Sequence, residues 1–305
     1  MLFQLVSKIW GLAKSVAVAL RLISARNVGS DRFENGLLIL NRATALGLKG
    51  ELITTPRDET IYKHVVENGE WEPEESCFLS NQLNLAESKG DHRPKISFVD
   101  IGANSGLVTR QVLRLSRSNC DAVLVEPVPN HVRAIEANMK KFIGTNHVEI
   151  LQAALGEISG ERVIKIDISN RGNSSFFESA MPRSGVKRLS VKVNSVDLFY
   201  QDFLSKYDFF VLKSDTQGFD SKILALLPEK FWNKCQGAVI EVWALPEIET
   251  APVKTLLSKW VNFTYFNWAA DGSAPTNLEE IETFWLSKTG KSRNLFIGES
   301  SQQLN

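Results

Sequence analysis

Cysteine is scarce in this sequence. There are three in 305 residues, Cys77, Cys120 and Cys235, far apart and odd in number. That pattern excludes a disulfide framework and a CxxC metal site, and it fits a reducing compartment. The four histidines, His64, His92, His131 and His147, show no HExxH or HxH spacing, so no metal is expected. Neither sign of charge is in surplus, with 35 basic and 35 acidic side chains. A general nucleic-acid binder needs a basic excess to neutralise phosphates, so no nucleic-acid partner is expected. No uncharged apolar run approaches the roughly 20 residues that span a bilayer. Internal repeats and low-complexity segments are missing too.

What is there suits a globular protein. Apolar content is 43% and charged content 23%, ordinary values for a chain long enough to bury a large core. Residues 1–24 are rich in Leu, Val, Ile and Ala, interrupted by Lys8, Lys14 and Arg21. On a helix the polar residues gather on one side, which predicts a basic amphipathic helix. Such a helix either lies on a membrane surface, with Trp10 at the interface, or docks on protein. A signal peptide would carry its charges before the apolar run, not within it. The expected location is therefore cytoplasmic, with peripheral membrane contact through residues 1–24 as an option. The oligomeric state is not legible.

Three parts are expected: the amphipathic helix over 1–30, a helical lead-in or cap over 31–94, and a main domain over 95–300. In the lead-in, Leu37, Leu38, Leu40 and residues 43–46 show helical spacing. A second helix is expected around Ile61–His64–Val65–Val66, and residues 71–77 read as an acidic turn. A short helix follows at 78–85. From residue 96 onward, apolar strands (96–99, 122–125, 148–154, 208–212, 238–242) alternate with helical segments (129–142, 221–227, 253–260). Segments 160–168 and 189–193 alternate as half-buried strands do. Segments 263–268 and 294–297 close the chain in a hairpin-like tail. Buried Val/Ile/Leu strands alternating with helices predict an α/β fold with a doubly wound parallel sheet.

Residues 96–106 read ISFVDIGANSG: a strand, a glycine turn and the start of a helix. Glycines let backbone N–H groups come close to a ligand. The turn departs from G-x-G-x-x-G, since Asn104 replaces the second glycine and Leu107 the third. A dinucleotide pyrophosphate needs close approach there, so S-adenosylmethionine fits better than NAD. Asp100, Gly102, Asn104 and Gly106 are the candidate cofactor loop. Glu126, about twenty residues on at the end of the next strand, is placed to accept from both ribose hydroxyls. A second cluster, LKSDTQGFD, follows the strand at 208–212 and so lies on the same sheet edge. Asp215 there could orient or deprotonate an acceptor hydroxyl, and Lys213 could hold the resulting oxygen. Asp220 reads equally as a helix cap. Gln217, Glu241 and Asn173 are candidates for acceptor binding. Trp243, Trp268 and Trp285 offer rings for a sugar or for the core.

The blocks GEWEP, FVDIGANSG, VEPVPN, QAALGEISG, GNSSF, VKVNSVD, LKSDTQGFD and VIEV, in this order and spacing, resemble the FkbM family of S-adenosylmethionine-dependent methyltransferases. The resemblance covers about two-thirds of the chain and would make 95–300 its methyltransferase domain. It implies a class I, Rossmann-like seven-stranded sheet with the last strand antiparallel. It also implies O-methylation, often of sugars or polyketide-type molecules. By position, Asp100, Gly102, Asn104 and Gly106 match the family's cofactor loop, Glu126 its ribose acid, and Lys213 and Asp215 its K-x-D-x-x-G block. Asp220 and Gln217 stand where the family often has Glu. The expected activity is O-methylation of a carbohydrate, glycolipid or other small-molecule hydroxyl. An NAD-type oxidoreductase and a non-catalytic binding module are the alternatives.

Overall fold

The computed structural model describes residues 26–27, 32–34, 37–43, 49–54, 59–89, 93–140, 142, 147–168, 170 and 172–298. The helix expected over residues 1–24 lies outside the described residues. Where the sequence predicts helix near residue 40, the structure has strands. They are β1 (Arg26–Asn27), β2 (Arg32–Glu34), β3 (Leu37–Ala43) and β4 (Lys49–Thr54). All pair antiparallel with β3. The spacing misled because both faces of β3 are apolar and covered. Leu37 and Ile39 pack with Ile53 and Ala134, whereas Leu38 and Leu40 pack with Ile61, Val65 and Leu107. A short run that is apolar on every position carries no period to tell strand from helix.

Two helices follow, α1 (Glu59–Asn68) and α2 (Pro73–Ser88). The segment read as an acidic turn is therefore largely the first turn of α2. Pro73 suits that start, because a proline lacks only an N–H that a first turn leaves unused.

The main sheet begins with β5 (Ile96–Ile101), α3 (Leu107–Leu115), β6 (Asp121–Val125), α4 (Pro129–Met139) and β7 (Val148–Leu151). A small separate sheet then intervenes: β8 (Ala154–Gly156), β9 (Gly160–Asp167), β10 (Ser174–Ser175) and β11 (Val186–Ser195). The chain continues through α5 (Val196–Phe199), a wider π turn (Tyr200–Leu204), β12 (Phe209–Ser214), α6 (Asp220–Leu226) and α7 (Glu229–Trp232). It ends with β13 (Cys235–Trp243), α8 (Thr250–Lys259), β14 (Tyr265–Asn267), α9 (Leu278–Trp285) and β15 (Ser292–Gly298).

The main sheet has seven strands in the order β14-β15-β13-β12-β5-β6-β7. β5, β6, β7, β12 and β13 are parallel, and β15, the last strand, runs antiparallel between β13 and β14. This is the doubly wound, Rossmann-like sheet the sequence predicts. The expected tail hairpin is an antiparallel pair, but α9 sits between its strands. Alternation along each strand sends side chains to opposite faces. Phe98, Val211, Val239 and Phe296 meet α2 and α3, while Val99, Leu212, Ile240 and Leu295 meet the helices of the second face. Trp285 and Trp260 belong to that second core. The order reverses between β5 and β12, so the loops leaving their carboxyl ends diverge and open a crevice.

Candidate functional site

The crevice is built by three loops that bind one another. Gly102 and Ala103 donate their amides to the Val125 carbonyl at 2.9 and 3.1 Å, which turns the chain toward β6. The Asp215 amide donates to the Ile101 carbonyl at 2.9 Å. Gly102 has φ 82°, and a Cβ there would lie 1.9 Å from the Asp215 carbonyl oxygen. No side chain fits between the two loops, so glycine is required by contact as well as by conformation. Asn104 also adopts positive φ, 51°, which asparagine tolerates better than most residues. Gly106 (φ 71°) precedes α3 and packs on Ile135.

Glu126 ties the turn to the next strand. Its carboxylate accepts from the Asn104 amide at 2.9 Å and from the Val128 amide at 2.8 Å, with His131 Nδ1 at 3.3 Å. A carboxylate has about four acceptor positions, so capacity remains for a ligand. Asp100 accepts from the Thr109 hydroxyl at 2.5 Å through Oδ2, and its buried Oδ1 has no hydrogen-bonding partner among the described residues. Burial pushes the Asp100 carboxyl up to about 6, against the pull of Lys213.

The second cluster is an ionic chain. Lys213 lies opposite Asp100 in the sheet register. Its Nζ is 3.3 Å from Asp215 Oδ2 and 3.6 Å from Glu72 Oε2. Burial lowers the lysine's pKa, but Glu72, Asp215, Glu75 and Asp100 outweigh it, so Lys213 stays a cation. Burial acts the other way on Asp215, and Lys213 first, then hydrogen bonds with Glu241 and Gln217, hold its carboxyl below the usual range. Gln217, at φ 52°, donates to Asp215 Oδ1 at 2.7 Å and to Glu241 Oε2 at 3.0 Å. Burial first, and the charge of Asp215 second, lift Glu241 well above a normal carboxyl.

Two adjoining cavities follow these residues. One, of about 300 Å³, is lined by Asp100, Gly102, Asn104, Lys213, Asp215, Gln217, Glu241 and Asn173, with Trp71, Glu72 and Trp243. The other, about 60 Å³, runs from Glu126 past Val125, Leu155 and Phe176 to Phe219. Gly102, Asn104, Asp215 and Gln217 line both. The sequence-derived candidates thus converge, apart from Asp220 and from Gly106, which shapes the turn from behind. Asn173 donates to the Ala180 carbonyl at 3.1 Å, and its buried Oδ1 is without a partner. Asp220 is elsewhere: it accepts from the Ser214 hydroxyl at 2.5 Å and the Thr216 amide at 3.2 Å, and lines neither cavity. Its role is to hold the turn, and burial raises its pKa to about 6.

Glu72 and Glu75 are what sequence reasoning missed. Glu72 caps the start of α2 in a left-handed conformation and Glu75 lies in its first turn, and both act on Lys213. The signal was the acidic WEPEESC run, in which Pro73 marks a helix start. Among the described residues no group of three or more His, Cys, Asp or Glu side chains is placed to hold a metal ion.

The donor set can be tested against S-adenosylmethionine. Its ammonium would find the orphan Asp100 Oδ1, its ribose the spare capacity of Glu126, and its adenine the apolar smaller cavity. The residues fit that ligand. No curated protein matches the chain. Among solved structures, a SAM-dependent methyltransferase from Agrobacterium tumefaciens is 11% identical, covering 89% of this chain and 70% of that one, with a TM-score of 0.38. Aeropyrum pernix fibrillarin with natively bound S-adenosyl-L-methionine is 10% identical over 88% of this chain and 98% of its own, TM-score 0.36. Precorrin-6y C5,15-methyltransferase from Geobacter metallireducens GS-15 is 12% identical over 72% and 87%, TM-score 0.33. The model of the methyltransferase FkbM domain matches residues 100–263, more than half of the chain, from Asp100 past Glu241. The chain belongs to the FkbM methyltransferase family, and its cofactor is S-adenosylmethionine.

Proposed function

We propose that this methyltransferase transfers its methyl group to a hydroxyl of a carbohydrate, free or within a glycolipid. The observation that carries the reading is the polarity of the larger cavity. Among the described residues, two buried acceptor atoms without hydrogen-bonding partners face it beyond the Asp100 oxygen that suits the cofactor ammonium: Asn104 Oδ1 and Asn173 Oδ1. Each unpartnered buried polar atom costs about 1–3 kcal/mol. A ligand rich in O–H donors, such as a sugar, relieves that cost. Trp243 adds an aromatic wall, its buried indole N–H directed at the Glu241 carboxyl.

S-adenosylmethionine supplies an electrophilic methyl on a sulfonium, so the protein's main task is to align an acceptor oxygen with it. Asp215 is ionised and fixed by Lys213 on one oxygen and Gln217 on the other. It is placed to accept the acceptor's hydroxyl proton. Lys213, anchored between Asp215 and Glu72, keeps that carboxylate charged and oriented. Glu241, turned to the same cavity through Gln217, holds a neighbouring hydroxyl.

Transfer of labelled methyl from the cofactor to a cell extract, followed by identification of the product, tests the reading. Label in a saccharide or glycolipid ether supports it. Label confined to protein, nucleic acid or a non-carbohydrate metabolite overturns it.

A further inference from the structure

A cavity larger than the reaction chamber lies directly beside it. Its volume is about 750 Å³, and Glu72 lines both. The shared wall is one packed unit. His64 on α1 faces the larger cavity and meets Trp71 edge-on, ring centres 5.3 Å apart, while Trp71 faces the reaction chamber. Glu72 itself is held at φ 48°, between Trp71 and the start of α2.

Size and lining together suggest the occupant. The reaction chamber, about 300 Å³, takes the methionine end of the cofactor as well as the reacting hydroxyl. Sites that hold a whole small ligand run from about 300 to 1,000 Å³. Little beyond one sugar ring can share the chamber, whereas the neighbouring cavity has room for a further ring. Its lining includes one member of a packed aromatic cluster, since Trp268 meets Phe284 at 5.3 Å. Trp268 lines it, with the Arg293 guanidinium 5.6 Å from its ring centre and 4.8 Å from that of Phe284. The lining also carries four carboxylates, Glu70, Glu72, Glu74 and Glu75, and the Asn68 amide. A pyranose has apolar C–H faces and a rim of hydroxyls. An aromatic platform complements the faces, and carboxylates with amides complement the rim.

We infer that this second cavity is a subsite for the sugar unit next to the one methylated, so the acceptor is a glycan rather than a free monosaccharide. The inference rests on the carbohydrate reading above and specifies its substrate. Trp268 and Arg293 hold the neighbouring ring, and Glu72 marks the passage of the glycosidic link between the two cavities.

The test is labelled methyl transfer to glucose, mannose, rhamnose and N-acetylglucosamine, each free and as its di- to tetrasaccharides. The variant Asn68→Trp serves as the probe of the cavity. Asn68 is exposed on α1, so a larger side chain there fills the cavity from its rim without entering the reaction chamber. The expected result is a kcat/KM at least tenfold higher for an oligosaccharide than for its monosaccharide. Asn68→Trp brings the oligosaccharide down to the monosaccharide value and leaves cofactor affinity unchanged. Trp268→Ala reduces the same advantage through KM. Saccharides methylated with no length preference, or a preference intact in Asn68→Trp, overturn the subsite and leave the carbohydrate reading standing. No label in any saccharide, with cofactor binding intact, overturns both.

Discussion

Asp215 and Glu241 show how one amide separates two acids. Burial raises both and Gln217 donates to both, but the Lys213 cation beside Asp215 pulls that carboxyl down while the charge of Asp215 pushes Glu241 further up. Asp215→Asn keeps the shape and removes the charge. It is expected to lower kcat by about 10²–10⁴, the usual worth of a positioned base, while cofactor affinity by calorimetry stays within about threefold. An unchanged kcat would remove Asp215 from the chemistry. Gly102→Ala tests the junction of the loops, because its methyl would fall 1.9 Å from the Asp215 carbonyl. The loops must part to admit it, so cofactor binding is expected to be lost in a protein whose circular dichroism still reports the fold. Asp220 offers a pH test away from the cavities. Its pKa rises from 3.8 to about 6 on folding, mainly by burial. The folded state therefore holds a proton that the unfolded state has released, and stability falls as pH rises from about 4 to 6. The span corresponds to about 3 kcal/mol at most. Asp220→Asn preserves an acceptor for Thr216 and does not titrate. Urea denaturation across this range is expected to show a shallower loss of stability in the variant than in the wild type.

Among the elements, what the sequence made legible divides by context. β5, β6 and β12 are apolar runs closed by a polar or glycine residue, β13 is an apolar run closed by Trp243, and such strands announce themselves. So did Asp100, Glu126, Lys213 and Asp215, since each stands at a strand's carboxyl end, where α/β ligands bind. β3 did not, because its two faces are buried against unrelated partners. Glu72 and Glu75 did not, because their meaning depends on Lys213, some 140 residues away. The N-terminal sheet also touches the site in a way no local pattern carries. Asn138, on α4, accepts from the Ile53 amide at 3.0 Å and donates to the Ile53 carbonyl at 2.7 Å. The same side chain donates to the Ser105 carbonyl at 2.7 Å, so one buried amide pins β4 to the cofactor turn. Asn138→Ala leaves those backbone groups unpaired, at about 1–3 kcal/mol. The expected outcome is a lower urea midpoint together with a raised KM for S-adenosylmethionine. A lower midpoint with KM unmoved would mean that Asn138 supports only the fold.

At the scale of the whole molecule, three of the four non-glycine residues at positive φ among the described residues, Glu72, Asn104 and Gln217, line the reaction chamber. Asn104 and Gln217, both at positive φ without being glycine, lie on the two sides of the crevice between β5 and β12. Gly102 and Gly218 flank the same opening. Unpartnered carboxylate and amide oxygens face it too. A site assembled from the ends of several strands and held partly unsatisfied should gain stability when its ligand arrives. A ligand that binds only the folded chain stabilises it by RT ln(1 + [L]/Kd), about 2.7 kcal/mol at a hundredfold excess over Kd. S-adenosylmethionine is therefore expected to raise the melting temperature in a concentration-dependent way, and NAD at the same concentration to leave it unmoved. Glu126→Gln sharpens the comparison. Glu126 accepts from the Asn104 and Val128 amides at once, and a glutamine, which presents one oxygen and one NH₂, cannot accept from both in that geometry. A tenfold weaker cofactor leaves about 1.4 kcal/mol at the same concentration, so the ligand-induced shift should shrink by roughly half. A shift from S-adenosylmethionine that is as large in Glu126→Gln as in the wild type would show that the ribose is held elsewhere.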